Sequence, residues 1–294
     1  MNMKKDNILN YLILVRPSNW IKNFIIFLPI FFGGKISDIS LIENTIIAFI
    51  SFSFMASSIY ILNDYMDLAY DRSHPFKKHR PMASGKVPII HAMFIALVLL
   101  IFGLWLILQL SISAFYFCIT YVVIMFLYCL IFRKLALVDI GIIAIGFVIR
   151  LFVGSSVTGI PNSMWIIIMI FLVALFITLA KRRDDLINPD INNLKSRQSI
   201  NGYSLSLVDN LIIVLVPIII VSYILYCTAG ENLSRIGENL YLTALFVIFG
   251  FMRYLQLIYN YNLGGDPINI FFTDSGIQKI LFLWLVSFTW ILYF

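Results

Sequence analysis

The sequence predicts an all-α polytopic membrane protein, a bundle of nine transmembrane helices. Three observations carry that prediction. The chain is 61% hydrophobic and only 12% charged, with a mean hydropathy of +0.94, more apolar surface than a soluble domain needs. Its apolar runs reach the length of about 17–25 residues that spans a bilayer as a helix. They are continuous rather than alternating, which excludes a transmembrane β-barrel. Finally, 18 of the 21 Lys and Arg fall in the N-terminal segment, in every second loop, or at the adjoining helix edges.

The spans read, in order, Ile21–Ile36, Leu41–Leu62, Ile89–Leu110, Ile112–Ile131, Leu137–Val157, Met164–Ala180, Leu207–Cys227, Leu240–Tyr259 and Ile277–Phe294. The first is short and interrupted by Pro29, but without it the charge pattern loses its alternation. Polar Arg16, Asn19 and Lys22 precede it with no small-residue cleavage site, so a cleavable leader is not expected. The basic loops place the N-terminus in the cytoplasm and, with an odd count, the C-terminus on the opposite face. Lys35 and Arg235 alone occupy the alternate loops, and Arg150 lies inside the fifth span. The net charge of +6 is therefore topogenic, and nucleic acid binding is not required to explain it. Cys118, Cys129 and Cys227 sit in apolar runs without metal-ligand spacing and read as packing residues.

The two largest polar loops, Asn63–Pro88 and Lys181–Ser206, follow the second and sixth spans. With no soluble domain, long linker or low-complexity segment, the chain reads as one membrane domain over residues 1–294. The first loop is the chemically informative one. Continued helically past Leu62, it sets Asn63, Asp67 and Asp71 at successive i,i+4 positions, with Asp64 bordering the same face. Like charges at that spacing repel, and a carboxylate near hydrocarbon is costly. A divalent cation relieves both penalties. Mg²⁺ takes one or two carboxylates and fills its other positions with water and phosphate oxygens, so the acidic face points to a metal and the metal to a phosphorylated substrate. Lys77 and Arg80 suit phosphate oxygens, while Pro75 and Pro81 interrupt the helix and hold the basic run over the acidic face. His74, before Pro75, is a further phosphate-binding candidate, with Lys22 and Arg72 as neighbouring cations. Arg150, an intramembrane cation too far from Asp139 to pair with it, needs a partner from another helix or a substrate phosphate.

"NDYMDLAYD" resembles the aspartate-rich NDxxDxxxD motif of the UbiA-type polyprenyltransferase superfamily. Its continuation "DRSHPFKKHRPMASG" resembles DRxHPxKxxRPxAxG of the decaprenyl-phosphate phosphoribosyltransferase branch. "VRPSNWIKNF", "FVIRLFVG", "LAKRRDDL" and "DPINIFFTDSGIQKILFLW" extend the resemblance over nearly the whole chain. It implies a UbiA-type bundle of nine helices in a bacterial inner membrane with its active site facing the cytoplasm. The implied reaction moves a 5-phosphoribosyl group from phosphoribosyl pyrophosphate to a polyprenyl phosphate and releases pyrophosphate. Carried over by position, Asn63, Asp67 and Asp71 hold Mg²⁺ with Asp64 in support, and Lys77 and Arg80 bind donor phosphates. Tyr203 matches a Tyr-Ser pair of the branch.

The second acidic DxxxD motif of aromatic prenyltransferases is replaced here by Lys181-Arg182-Arg183-Asp184-Asp185. That departure argues for a cationic phosphate pocket with Lys181 and Arg182. It argues against the nearest rival, an aromatic prenyltransferase using a polyprenyl diphosphate. A lipid transporter is the rival of another class, but transporters place their binding groups at the bilayer midplane, whereas these clusters sit at helix ends. Prenyl chain length is open, and so is assembly, a homo-oligomer included.

Overall fold

A computed structural model describes residues 2–188, 198–230, 233, 236–265 and 267–293. The topogenic Lys195 and Arg197, the exception Arg235, and Asp266 and Phe294 lie outside the described residues. All regular structure among the described residues is helical. The helices are α1 (Asn2–Val15), α2 (Leu28–Phe32), α3 (Ile39–Met66), α4 (Leu68–Ser73), α5 (Ile89–Leu110), α6 (Ile112–Leu130), α7 (Val138–Thr158), α8 (Met164–Ile187), α9 (Leu205–Thr228), α10 (Ala244–Tyr261), α11 (Pro267–Thr273) and α12 (Ser275–Tyr293). A 3-10 segment, Pro17–Phe27, joins α1 to α2. Among the described residues, eight helices are long and apolar enough to cross a membrane: α3, α5 to α9, the stretch Glu238–Tyr261, and α12. The chain is an integral membrane protein.

The expected first span, Ile21–Ile36, is where the structure departs from the sequence reading. No long α-helix forms there. The 11-residue 3-10 segment is followed by the 5-residue α2. A 3-10 turn rises about 2.0 Å per residue against about 1.5 Å in an α-helix, so these pieces still extend roughly 30 Å. Such a long 3-10 run is unusual, and tertiary anchors hold it. Trp20 Nε1 donates to Ser57 Oγ at 3.0 Å, and Asn23 Nδ2 donates to Ser53 Oγ at 2.9 Å. On its other side, a Cβ on Gly154 of α7 would lie 2.1 Å from the Ile26 carbonyl oxygen. Only glycine permits that approach.

The chain divides into two compact units, Met1–Asn162 with a short later segment, and Ser163–Asp190 with Ser199–Phe294. In the first unit α3 is the central helix. Asp38 starts it, accepting from the backbone N–H of Ser40 (3.1 Å) and Leu41 (3.2 Å), which satisfies orphan donors of the first turn. Buried Ala48, Ser51, Ala56 and Ser57 keep its surface narrow, and small residues allow close packing where lipid offers no hydrophobic drive between helices. Ser51 Oγ donates to the Gly103 carbonyl of α5 at 2.6 Å. Phe52, Met55, Tyr121 and Ile149 fill the core among α3, α6 and α7. Cys118 and Cys129 are buried there, as Cys227 is in the second unit, and all three are free thiols.

The second unit is tied by polar staples. Tyr223 of α9 meets Thr243 Oγ1 at 2.6 Å and accepts from Trp284 Nε1 of α12 at 2.8 Å. Arg253 of α10 grips Asp274 through Nε (3.2 Å) and Nη2 (2.7 Å). Asp274 in turn caps α12 by accepting from Ile277 N–H at 2.8 Å.

Candidate active site

The acidic face forms where α3 runs out. α3 ends at Met66 and α4 begins at Leu68, leaving Asp67 outside both helices. Helical hydrogen bonding nevertheless crosses the break. Asp67 N–H donates to the Asn63 carbonyl at 3.0 Å, and Asp71 N–H donates to the Asp67 carbonyl at 2.8 Å. The i,i+4 alignment of Asn63, Asp67 and Asp71 thus survives a local bend. Asn63 Nδ2 donates to Asp67 Oδ2 at 3.0 Å, and the Cys129 thiol contacts Asn63 Oδ1 at 3.7 Å.

Each carboxylate is matched with arginine. Asp64, 4% exposed, pairs with Arg16 and accepts from Arg80 Nη1 at 3.0 Å. The same Nη1 reaches Asp71 Oδ2 at 2.7 Å, and Arg133 pairs with Asp67. Arg80 therefore folds the basic run back onto the acidic face from a loop whose polypeptide is turned by Pro75 and Pro81. Removing such an arginine leaves a buried carboxylate uncompensated, a cost of several kcal/mol, about 3–5 where burial is complete.

Two atoms break this pattern of satisfaction. Asp71 is 1% exposed, and its Oδ1 has no hydrogen-bond partner among the described residues. His74 is also buried, and its Nε2 is equally unpartnered. His74 Nδ1 accepts from the backbone N–H groups of Phe76 (3.1 Å) and Lys77 (3.3 Å). That fixes the neutral tautomer, with the proton on Nε2. A bare carboxylate oxygen and a bare N–H donor are one turn apart in sequence. Buried polar atoms without partners are costly, and this pair suits a cation and an anion respectively.

No group of three or more His, Cys, Asp or Glu among the described residues converges into a metal cage. Mg²⁺ does not need one, since one or two carboxylates and substrate phosphates suffice. Asp71 Oδ1, with Asp67 and Asn63 on the same face, is a donor set of that kind.

The remaining candidates divide by position. Lys22 Nζ donates to Asn19 Oδ1 at 2.9 Å and lies 5.9 Å from the Tyr60 ring, which Arg16 also faces at 5.7 Å. Lys77 Nζ sits 5.2 Å from the Tyr70 ring, and Arg72 is exposed. All belong to the first unit. Lys181, Arg182 and Tyr203 belong to the second. Lys181 is exposed, Tyr203 is buried, and Arg182, 1% exposed, donates to Asp185 Oδ2 at 3.2 Å. Arg183 is a staple: it bonds Asp209 at 2.8 Å, the Ile258 carbonyl at 2.9 Å and Asn262 at 3.2 Å, over the Tyr259 ring.

Arg150 finds its partners within the protein. Its Nε donates to Asn23 Oδ1 at 2.8 Å, Nη1 to the Gly146 carbonyl at 2.6 Å and Nη2 to Tyr121 OH at 3.3 Å. The rings of Phe52, Tyr121 and Phe147 surround it at 4.9, 5.0 and 5.0 Å. Neutral acceptors and π-faces thus account for this buried cation. The sequence alone does not single out Arg16 and Arg133, because one lies in the N-terminal segment and the other in a basic loop, where topology already explains the charge. The one signal for Arg16 was its place at the head of the "RPSNWIKNF" stretch.

His74 yields a pH prediction. Burial, with the Lys77 charge second, pushes its imidazole below the ordinary value, about 6.5. The folded chain therefore resists a proton that the unfolded chain accepts, and its stability falls as pH drops below that ordinary value. Protonating Nδ1 would also break the two bonds that turn the chain at Phe76 and Lys77. His74→Asn keeps an acceptor near Nδ1 without a titrating group. Thermal unfolding from pH 7.5 to 5 is expected to show a smaller loss in His74→Asn than in the parent, and parallel losses would remove His74 from the account.

A membrane-embedded helical bundle with an acidic, arginine-laced cluster at the end of its central helix defines a class of intramembrane transferase. Residues 24–286 match the UbiA prenyltransferase family, and the chain belongs to that family. It is 28% identical over 295 residues to the decaprenyl-phosphate phosphoribosyltransferase of Mycolicibacterium smegmatis, covering 95% of this chain and 91% of the relative. It is 26% identical over 279 residues to the protein of the same name from Corynebacterium glutamicum, covering 92% and 83%. Among solved structures, a UbiA homolog from Archaeoglobus fulgidus bound to DMAPP and Mg²⁺ superposes with a TM-score of 0.70 at 18% identity, covering 96% of this chain and 99% of the other. That likeness establishes the shared fold.

Proposed function

We propose that the chain transfers a 5-phosphoribosyl group from phosphoribosyl pyrophosphate to a polyprenyl phosphate, with Mg²⁺, at the cytoplasmic face of a bacterial inner membrane. The observation that carries the reading is the pair of unsatisfied buried atoms, Asp71 Oδ1 and His74 Nε2, inside a cluster that also holds Arg80. One takes a cation and the other an anionic oxygen, as a metal-bound diphosphate requires. The phosphoribosyltransferase relatives, which cover nearly the whole chain, support the choice of donor and acceptor.

In this reading Asp71, Asp67 and Asn63 hold Mg²⁺, and Asp64 keeps Arg80 oriented. The bound cation supplies charge neutralisation of the leaving pyrophosphate. His74 Nε2–H, Lys77 and Arg80 hold the donor's phosphates, with Arg72 and Lys22 raising the local positive potential. The bond from the ribose C1 to the pyrophosphate oxygen breaks, and its electron pair leaves with pyrophosphate. An anionic oxygen of the lipid phosphate donates the pair that forms the new C1–O bond. The nucleophile is already ionised near neutral pH, so no general base is needed. In the second unit, Lys181 and Arg182 are assigned phosphate recognition and Tyr203 a substrate contact.

The test supplies purified protein and Mg²⁺ with two substrate pairs in separate tubes. One holds radiolabelled phosphoribosyl pyrophosphate and polyprenyl phosphate, and the other polyprenyl diphosphate and 4-hydroxybenzoate. Labelled lipid and released pyrophosphate are expected in the first tube only. Product confined to the second would replace the reading with aromatic prenyl transfer.

A further inference from the structure

A cavity of about 420 Å³ opens beside Asp64 of the acidic cluster, and α1 forms one of its walls. Leu12 and Ile13 supply the apolar part of the lining, while Arg16, Asn19, Asp64 and Arg80 supply the polar part. We propose that this cavity is the acceptor subsite, with Arg16 and Arg80 receiving the phosphate monoester of the polyprenyl phosphate and Leu12 and Ile13 receiving its first isoprene units. The proposal rests on the phosphoribosyl-transfer reading and deepens it.

Three observations support it. First, the two arginines share a single carboxylate at this wall, Asp64, which is 4% exposed and accepts from both. The cavity lining thus carries two guanidinium groups and one carboxylate, while the second carboxylate bound by Arg80, Asp71, is not among the lining residues. Second, the apolar wall is continuous with an exposed apolar surface of α1. Ile8, Leu9, Leu12 and Ile13 are 63%, 55%, 56% and 50% exposed. At i,i+4 spacing they make one stripe along α1. In an integral membrane protein, an exposed apolar stripe that ends against two guanidinium groups matches an amphiphile with an anionic head. Third, Arg16 is a non-glycine residue in the left-handed region, at φ 55° and ψ 58°. Backbone strain of this kind concentrates at ligand sites, and here it turns the chain from α1 into the 3-10 segment at the place where the guanidinium meets Asp64.

Arg80 makes the arrangement useful for transfer. Its Nη1 touches both Asp64, which lines the cavity, and Asp71, which carries the bare oxygen proposed for the metal. The acceptor phosphate and the donor diphosphate would then approach one guanidinium from its two carboxylate partners. Arg80 would screen the repulsion between two anions that must come together.

The experiment uses the full chain in lipid nanodiscs with a photoreactive amino acid replacing Leu12 and radiolabelled polyprenyl phosphate as the probe. Unlabelled polyprenyl phosphate, the corresponding polyprenol and inorganic phosphate serve as competitors. Crosslinking is expected, with polyprenyl phosphate competing at least about ten-fold better than either alternative. Competition by polyprenol equal to that of the lipid phosphate would overturn head-group recognition. Equal competition by inorganic phosphate would overturn the apolar half of the site. Because Arg16→Gln also removes a partner of Asp64 and is exposed to folding defects, Ile13→Glu is the second variant. It should raise the KM for the lipid about ten-fold and change that for phosphoribosyl pyrophosphate less than about two-fold. Absence of crosslinking in a protein that still transfers phosphoribose would sink the subsite and leave the transfer reading standing. Specific crosslinking without transfer would keep the lipid-phosphate cavity and sink the reaction.

Discussion

Replacing Asp71 with Asn is expected to lower kcat/KM by about 10²–10³-fold, equivalent to about 3–4 kcal/mol of transition-state stabilisation. The residue is 1% exposed and its Oδ1 has no partner among the described residues, whereas Oδ2 is held by Arg80. Asn keeps an oxygen for Arg80, and Arg80 keeps Asp64, so the loop should stay folded. What is lost is the negative charge that a hard cation requires. EDTA should reduce the parent to a similar level, and excess Mg²⁺ should restore the parent but not the variant. Lys78→Ala, at an exposed position in the same loop, should remain within about two-fold of the parent. Turnover of Asp71→Asn near the parent rate, with unfolding temperatures matched, would remove Asp71 from the chemistry.

The second large effect is structural. Gly154→Ala would place a Cβ 2.1 Å from the Ile26 carbonyl oxygen, 2.9 Å from its carbon and 3.1 Å from its Cα. All three neighbours are backbone, so no side-chain rotation relieves the clash. The 3-10 segment must shift away from α7, straining the Arg150–Asn23 and Asn23–Ser53 bonds. Overpacking of this severity costs about 3 kcal/mol or more, an unfolding temperature lower by on the order of 10 °C. Arg16 and Lys22 ride on the same segment, so activity should fall with stability. Gly141→Ala on the same helix, where an added Cβ meets nothing within 4 Å, is the control and should leave both nearly unchanged. A Gly154→Ala protein as stable as Gly141→Ala would show that the segment is not seated against α7.

How much of this was legible beforehand varies by element. The spans from Leu41 onward needed only apolar runs of bilayer length, because hydrocarbon demands that backbone groups be satisfied within each helix. The registry of Asn63, Asp67 and Asp71 was legible because helical spacing is local, and it withstood the break at Asp67 because the i→i−4 bonds continue through it. The first span reads as an α-helix in the sequence and folds instead as a 3-10 segment followed by a short α-helix. Apolarity reveals that a segment is buried or lipid-facing, but not how tightly it winds, and the winding here is held by Ser53, Ser57 and Gly154 from other helices.

The sequence by itself therefore determined the class of protein, its spans from Leu41 onward, the acidic face and the basic loop that follows it. Tertiary structure alone decided which cation meets which carboxylate. Arg16 pairs with Asp64 across 48 residues and Arg133 with Asp67 across 66, separations at which no periodicity connects two side chains. It decided too that Arg150 is housed among aromatic rings and Asn23, and that Arg183 is a staple although Lys181 beside it is exposed. The physical reason is common to all of these. Hydropathy and helical spacing act between neighbours in the chain, whereas the partners of a buried charge are chosen by whichever helices packing brings within hydrogen-bond reach.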